Sequence, residues 1–158
     1  MKNQKESLIK LLTNKKARIG VVGLGYVGLP FAVTFAKAGF HVTGIELDAS
    51  KAEKINAGES YILDVPTADV KDLVDKGLLD ATTDYSVVKD LQAVAICVPT
   101  PLRETGDPDI SFIANATQWI KPYVHPGLVL VLESSTYPGT TREVILPEIE
   151  GAHGCKVG

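Results

Sequence analysis

The sequence predicts an α/β fold built on a mainly parallel sheet. Three features carry that prediction: short β-branched runs that read as buried strands, helical stretches alternating with them, and a glycine-rich turn between the first strand and a helix. Parallel strands joined through helices require right-handed crossovers, so helices should cover both faces of the sheet. At 158 residues the chain is one domain by size and can bury a sizeable core.

The elements follow in order. Residues 1–16 form a basic leader in which Lys2, Lys5, Lys10, Lys15 and Lys16 are opposed only by Glu6. Leu8, Ile9, Leu11 and Leu12 make it a short amphipathic helix lying against the rest of the chain. The apolar stretch is broken by Lys10, and no small-residue cleavage site follows, which excludes a secretory signal. Residues 17–22 read as a buried strand, and a helix follows from Gly25 to Lys37, closed by Gly39. Pro30 must then lie near its first turn, where a missing N–H costs least. His41 to Glu46 is the second strand. Asp48 is a good N-cap for a helix ending at Asn56, with Gly58 beyond it.

A further helix spans residues 68–76 and a short strand residues 79–82. A short helix at residues 84–90 precedes the clearest buried strand, Ala93 to Val98. Pro108 and Asp109 open a helix reaching Lys121, and Leu128 to Leu132 is the next strand. Thr140 to Glu143 matches a Thr-x-x-Glu capping box, which should open a helix before Pro147. Lys156, Val157 and Gly158 would begin one more strand.

Composition narrows the function. The 45% hydrophobic and 22% charged content is that of an ordinary globular protein, and a net charge of -3 gives nucleic acid or an anionic membrane nothing to bind. No apolar run reaches membrane-spanning length. Cys97 and Cys155 have neither metal-ligand spacing nor a disulfide framework, which points to a reducing cytoplasm. His41, His125 and His153 form no spaced constellation, so no metal site is expected.

Gly23-Leu24-Gly25-Tyr26-Val27-Gly28 is a G-x-G-x-x-G in the context that gives the motif meaning, after a strand and at the start of a helix. Gly23 allows the tight turn, Gly25 lets the backbone approach a pyrophosphate, and Gly28 lets helix and strand pack closely. Free N–H groups at the helix start would bind the phosphates. Glu46 ends the second strand 46 − 28 = 18 residues beyond Gly28. An acid there accepts hydrogen bonds from the adenosine ribose and repels the 2′-phosphate of NADP, so NAD is the expected cofactor. Lys51, a solvated helix cation or a phosphate attractor, works against that preference.

The fold is therefore expected to be Rossmann-type and doubly wound, in strand order 3-2-1-4-5-6, with the ligand at the carboxyl ends of the strands. The fourth strand ends in Val98-Pro99-Thr100-Pro101, where Pro99 stiffens the loop and Thr100 offers a hydroxyl near the nicotinamide-side ribose. The fifth ends in Glu133-Ser134-Ser135-Thr136. Three hydroxyls in a row at such a position suit ligand or water holding, with Thr136 the best candidate. Cys97 lies inside an apolar strand and reads as core rather than nucleophile.

With these residues assembled, the chain resembles the UDP-glucose/GDP-mannose dehydrogenase family. Gly23 to Pro30, Val98 to Pro101 and Ser135-Thr136-Tyr137-Pro138-Gly139-Thr140-Thr141 match its motifs in order. Asn56-Ala57-Gly58-Glu59-Ser60-Tyr61-Ile62 and the long Pro101–Pro108 loop are similar to the branch oxidising N-acetylated UDP-hexosamines. The resemblance implies two NAD-dependent oxidations carrying a sugar C6 alcohol to a carboxylate through a thiohemiacetal and a thioester. It puts Tyr26 and Val27 beside the pyrophosphate, Glu46 and Lys51 at the adenosine end, Thr100 near the nicotinamide ribose, and Thr136 on cofactor or catalytic water. It also implies that residues 17–158 are a truncated NAD-binding domain, without the family's linking helix, UDP-sugar domain or catalytic cysteine. The full-length protein is expected to take a UDP-sugar and to form a homo-oligomer. A 3-hydroxyacid-type dehydrogenase and a non-catalytic NAD(H)-sensing module are the alternatives.

Overall fold

A computed structural model describes residues 2–104 and 106–156. The described strands are β1 (Arg18–Val22), β2 (His41–Ile45), β3 (Leu79–Thr82), β4 (Ala93–Ile96) and β5 (Val129–Leu132). They form one five-stranded sheet in the order β3-β2-β1-β4-β5, with every pair parallel. This is the expected doubly wound order, with β1 at its centre. The helices are α1 (Lys2–Thr13), α2 (Gly28–Lys37), α3 (Ala49–Asn56), α4 (Thr67–Asp75), α5 (Ser111–Ile120) and the short α6 (Leu146–Ile149). Among the described residues no helix is long and apolar enough to cross a membrane.

Alternation along the strands sends side chains to two cores. Ile19, Val21, Val42, Leu79, Ala81, Ala95 and Cys97 face α2, α3 and α4, where Leu29, Ala32, Ala36, Ile55 and Val70 meet them. Val22, Ile45, Val94 and Ile96 face the opposite way, onto Ile113, Ala116 and Ile120 of α5 and Ile149 of α6. Helices thus cover both faces. Burying each Leu, Ile or Val contributes roughly 1.5–3 kcal/mol before the cost of ordering the chain.

Leu11 and Leu12 of α1 pack on the first core, as an amphipathic leader should, while the Lys15 ammonium lies 4.4 Å from the Phe40 ring centroid. Asp48 caps α3 by accepting the Ser50 N–H at 3.0 Å. At the outer edge of β3, the Asn56 amide does what a neighbouring strand would do. It donates to the Ala81 carbonyl and accepts the Ala81 N–H, both at 2.8 Å.

One expectation needs correction. The Thr140–Glu143 capping box does not form: the buried Thr140 hydroxyl donates to the Tyr137 carbonyl at 2.9 Å instead of capping a helix. A helical path does open before Pro147, as expected, although no side chain caps it. A wide π-type turn at Thr141–Ile145 leads into α6, and Pro147 lies in the first turn of α6, where its missing N–H is tolerated. The short segment at residues 84–90 is a 3-10 helix, Tyr85–Asp90. Lys156 lies outside any strand, while Val157 and Gly158 fall outside the described residues.

Candidate functional site

The site grows from the carboxyl end of β1. The chain leaves the sheet at Gly23, whose N–H still donates to Ile45 of β2 at 2.9 Å, while Cys97 N–H donates back to Val22 at 2.8 Å. Gly23 has φ +87°, and a Cβ there would lie 2.8 Å from the Cys97 carbonyl oxygen. A Cβ on Gly28 would fall 1.7 Å from the Gly23 carbonyl oxygen. These two glycines fold the turn onto itself and onto the end of β4. Gly25 differs: a Cβ there meets nothing within 4 Å. The protein itself does not need glycine at that position. The space is open on the outside of the turn.

The donors are free as well. Among the described residues, the N–H groups of Gly25, Tyr26 and Val27 donate to no acceptor, and no side chain caps α2. Tyr26 and Val27 are exposed. Unpaired amides at a helix start, beside an open approach, suit an anion.

Glu46 follows β2, and its N–H is anchored to Thr82 at 2.9 Å. One carboxylate oxygen accepts the Leu24 N–H at 2.9 Å and the other accepts the Asp48 N–H at 3.2 Å. The carboxylate is therefore fixed against the glycine turn, with lone pairs left to accept from a ligand. Lys51, half-buried on α3, places its ammonium 5.8 Å from the Tyr61 ring centroid. The Tyr61 hydroxyl donates to the Leu24 carbonyl at 2.8 Å. Burial first, then the charges of Glu46 and Asp48, raise the Tyr61 pKa above the ordinary phenol value, so the hydroxyl remains a donor. Tyr61 as a support of the turn was not legible in the sequence. No local spacing links positions 24 and 61.

The β4 and β5 ends flank the turn. Pro99 and Pro101 are exposed and Thr100 is half-buried. The loop beyond them closes through Asp109 N–H to Pro101 at 2.7 Å and an Arg103–Asp109 ion pair at 3.0 Å. The three hydroxyls at residues 134–136 separate in role. Ser134 donates to the Val98 carbonyl at 2.8 Å, tying the two strand ends together, so it serves the scaffold. Thr136 and Thr140 hydroxyl oxygens lie 3.0 Å apart. Because the Thr140 proton goes to Tyr137, Thr136 is the donor of that pair, and its oxygen keeps acceptor capacity for a ligand or water. An open depression of about 390 Å³ lies over this loop, lined by Thr136, Tyr137, Gly139, Thr140, Thr141 and Arg142.

Cys97 is buried beneath the turn, and its thiol is pushed up to about 11, first by burial and then by the nearby Glu133 charge. That environment suppresses the thiolate. Among the described residues no cluster of three or more His, Cys, Asp or Glu side chains could hold a metal ion.

A parallel sheet in this order, a self-closed glycine turn with free amides, and an acid fixed at the end of β2 define a dinucleotide-binding Rossmann domain. Residues 17–157 match the UDP-glucose/GDP-mannose dehydrogenase family, NAD binding domain, and the chain belongs to that family. It is 36% identical to the UDP-N-acetyl-D-mannosamine dehydrogenase of Pyrococcus horikoshii over 80% of this chain and 30% of the relative. It is 31% identical to the UDP-N-acetyl-D-glucosamine 6-dehydrogenase of Pseudomonas aeruginosa over 90% of this chain and 33% of that one. Among solved structures, the NDP-N-acetyl-D-galactosaminuronic acid dehydrogenase of Methanosarcina mazei Go1 superposes with a TM-score of 0.83 at 34% identity, covering 96% of this chain and 34% of that chain. The chain thus spans about a third of the length of the relatives it matches. Its cofactor is NAD, and the family match decides against the 3-hydroxyacid alternative.

Proposed function

We propose that the chain is the cofactor-binding part of an NAD-dependent 6-dehydrogenase acting on an N-acetylated UDP-hexose. The observation that carries the cofactor side is the Glu46 carboxylate held over the turn by the Leu24 N–H. It orients an acceptor toward ribose hydroxyls, and its charge opposes a 2′-phosphate. The amides of Gly25, Tyr26 and Val27 bind the pyrophosphate, and Lys51 flanks the adenosine end. Pro99 and Thr100 border the nicotinamide side, and the acceptor oxygen of Thr136 holds water or the cofactor there.

NAD⁺, held by the amides of Gly25, Tyr26 and Val27 and by Glu46, would supply the hydride acceptor for each of two successive oxidations at the sugar C6, alcohol to aldehyde and, with water as the source of the second oxygen, aldehyde to carboxylate. This chain's residues bind and orient the dinucleotide. The buried Cys97, with its raised pKa, is unsuited to carry a thioester, so we assign the nucleophile and the uridine pocket to sequence beyond these residues. The N-acetylated preference rests on relatives that act on UDP-N-acetylmannosamine and UDP-N-acetylglucosamine. The Ser60-Tyr61-Ile62 segment, whose sequence points to the same preference, makes its contacts to the glycine turn, its own loop, Lys51, Thr67 and the first core. We further propose that the full-length protein works in the cytoplasm as a homo-oligomer.

The test pairs two measurements. This chain should bind NAD⁺ yet form no NADH with any UDP-sugar, while the complete protein should prefer UDP-N-acetylhexosamines over UDP-glucose and GDP-mannose. Turnover by these 158 residues alone would overturn the division of labour. A preference for GDP-mannose would overturn the substrate class while leaving the family intact.

A further inference from the structure

We propose that Tyr61 is a positioning residue for cofactor binding, acting through the Leu24–Gly25 peptide of the glycine turn.

Leu24 is held on three sides. Its side chain is fully buried and fills the space beside Gly44, where a Cβ would lie 2.5 Å from a Leu24 methyl. Its N–H donates to Glu46 at 2.9 Å, and its carbonyl accepts the Tyr61 hydroxyl at 2.8 Å. The carbonyl matters most, because Leu24 C=O and Gly25 N–H belong to the same amide. A trans peptide is planar and aims these two groups in opposite directions. Tyr61 grips the carbonyl, so the Gly25 N–H must point the other way, and it donates to nothing within the described residues. The hydrogen bond on the carbonyl also polarises the amide and makes its N–H a stronger donor.

The tyrosine is itself fixed. It is half-buried, packs on the first core, and has the Lys51 ammonium 5.8 Å from its ring centroid. The turn therefore presents its first free amide already aimed, and little ordering remains to be done when an anion arrives.

This inference rests on the proposed placement of the pyrophosphate on the turn, and the experiment separates the two. Dissociation constants for NAD⁺, ADP and adenosine are measured by calorimetry on the wild type, Tyr61→Phe and Gly25→Ala, with thermal melting of each. Phenylalanine keeps the ring under Lys51 and removes only the hydroxyl. NAD⁺ and ADP should weaken about three- to tenfold, the range expected for one lost hydrogen bond. Adenosine, which has no pyrophosphate, should be unchanged. In the ligand-free Tyr61→Phe protein the Gly25 amide proton should move upfield, as its less polarised N–H becomes a weaker donor. Equal losses for all three ligands with a lowered melting point would make Tyr61 merely structural and overturn the proposal, as would unchanged affinities. If Gly25→Ala leaves NAD⁺ binding intact, the pyrophosphate does not sit on this turn, and the underlying reading fails instead.

Discussion

Gly25→Ala should leave the protein folded and strip it of its cofactor. The added methyl meets no atom within 4 Å, and Gly25 does not occupy the left-handed region. Where alanine fits the native backbone, replacing glycine stabilises by roughly 0.4–1 kcal/mol, because the unfolded chain loses freedom. For a chain of this size that is a rise of about 1–4 °C in melting temperature. Binding moves the opposite way. The methyl stands on the open side of the turn, where a phosphate must come within hydrogen-bond distance of the amides. Losing one charge-assisted hydrogen bond costs roughly 1.5–3 kcal/mol, or about 10- to 150-fold in Kd. Calorimetry with NAD⁺ and differential scanning fluorimetry on the same preparation give both numbers. A lower melting temperature would show that the turn needs glycine at 25 for its own sake. Unchanged NAD⁺ affinity would refute the assignment of this face to the pyrophosphate.

Glu46→Ala should weaken NAD⁺ binding and narrow the preference over NADP⁺, as competition between the two cofactors would show; an unchanged ratio would remove Glu46 from the ribose. Cys97→Ala should keep NAD⁺ affinity and cost on the order of 1 kcal/mol of stability, read from urea unfolding. With the Cys97 thiol near 11, a thiol reagent at pH 8 should label the half-buried Cys155 first, and prompt labelling of Cys97 in the folded protein would contradict its burial. Asp109 is depressed to about 2 by the Ser111 N–H, then the Ser111 hydroxyl and the Arg103 guanidinium. Its folded pKa lies below the ordinary value, so the contribution is complete above about pH 4 and lost as pH falls through about 2. The Ser111 amide resonance should follow that midpoint, and a midpoint at the ordinary carboxylate value would mean that the loop closure is not made in solution.

Much of the fold was legible because its signals are local. The run Ala93 to Val98 reads as the clearest buried strand in the chain, and Asp48 announces the start of α3 by its own capping chemistry. The glycine turn and Glu46 were legible for the same reason: motif, strand and acid lie at fixed spacings along the chain. What escaped reading depends on the sheet bringing distant residues together. Asn56 pairs with Ala81 and Tyr61 with Leu24 only because the strands stack in a particular order. At Thr140 the local signal misled, since a threonine three residues before a glutamate marks a cap only if its hydroxyl is free. Here that hydroxyl is committed to the Tyr137 carbonyl.

The glycines of the turn also face two different constraints that a motif string merges. Gly23 and Gly28 are walled in by main-chain oxygen, and no single substitution at either can be absorbed by moving a side chain. Gly25 has no such neighbour. A descendant that gave up its cofactor would still have to keep the outer two glycines to hold helix against sheet, while the middle one would be free to drift. Retention of all three is a mark of a working nucleotide site. Retention of the outer pair alone is a mark of inheritance, and position 25 is where a lapsed member of the lineage would first give itself away.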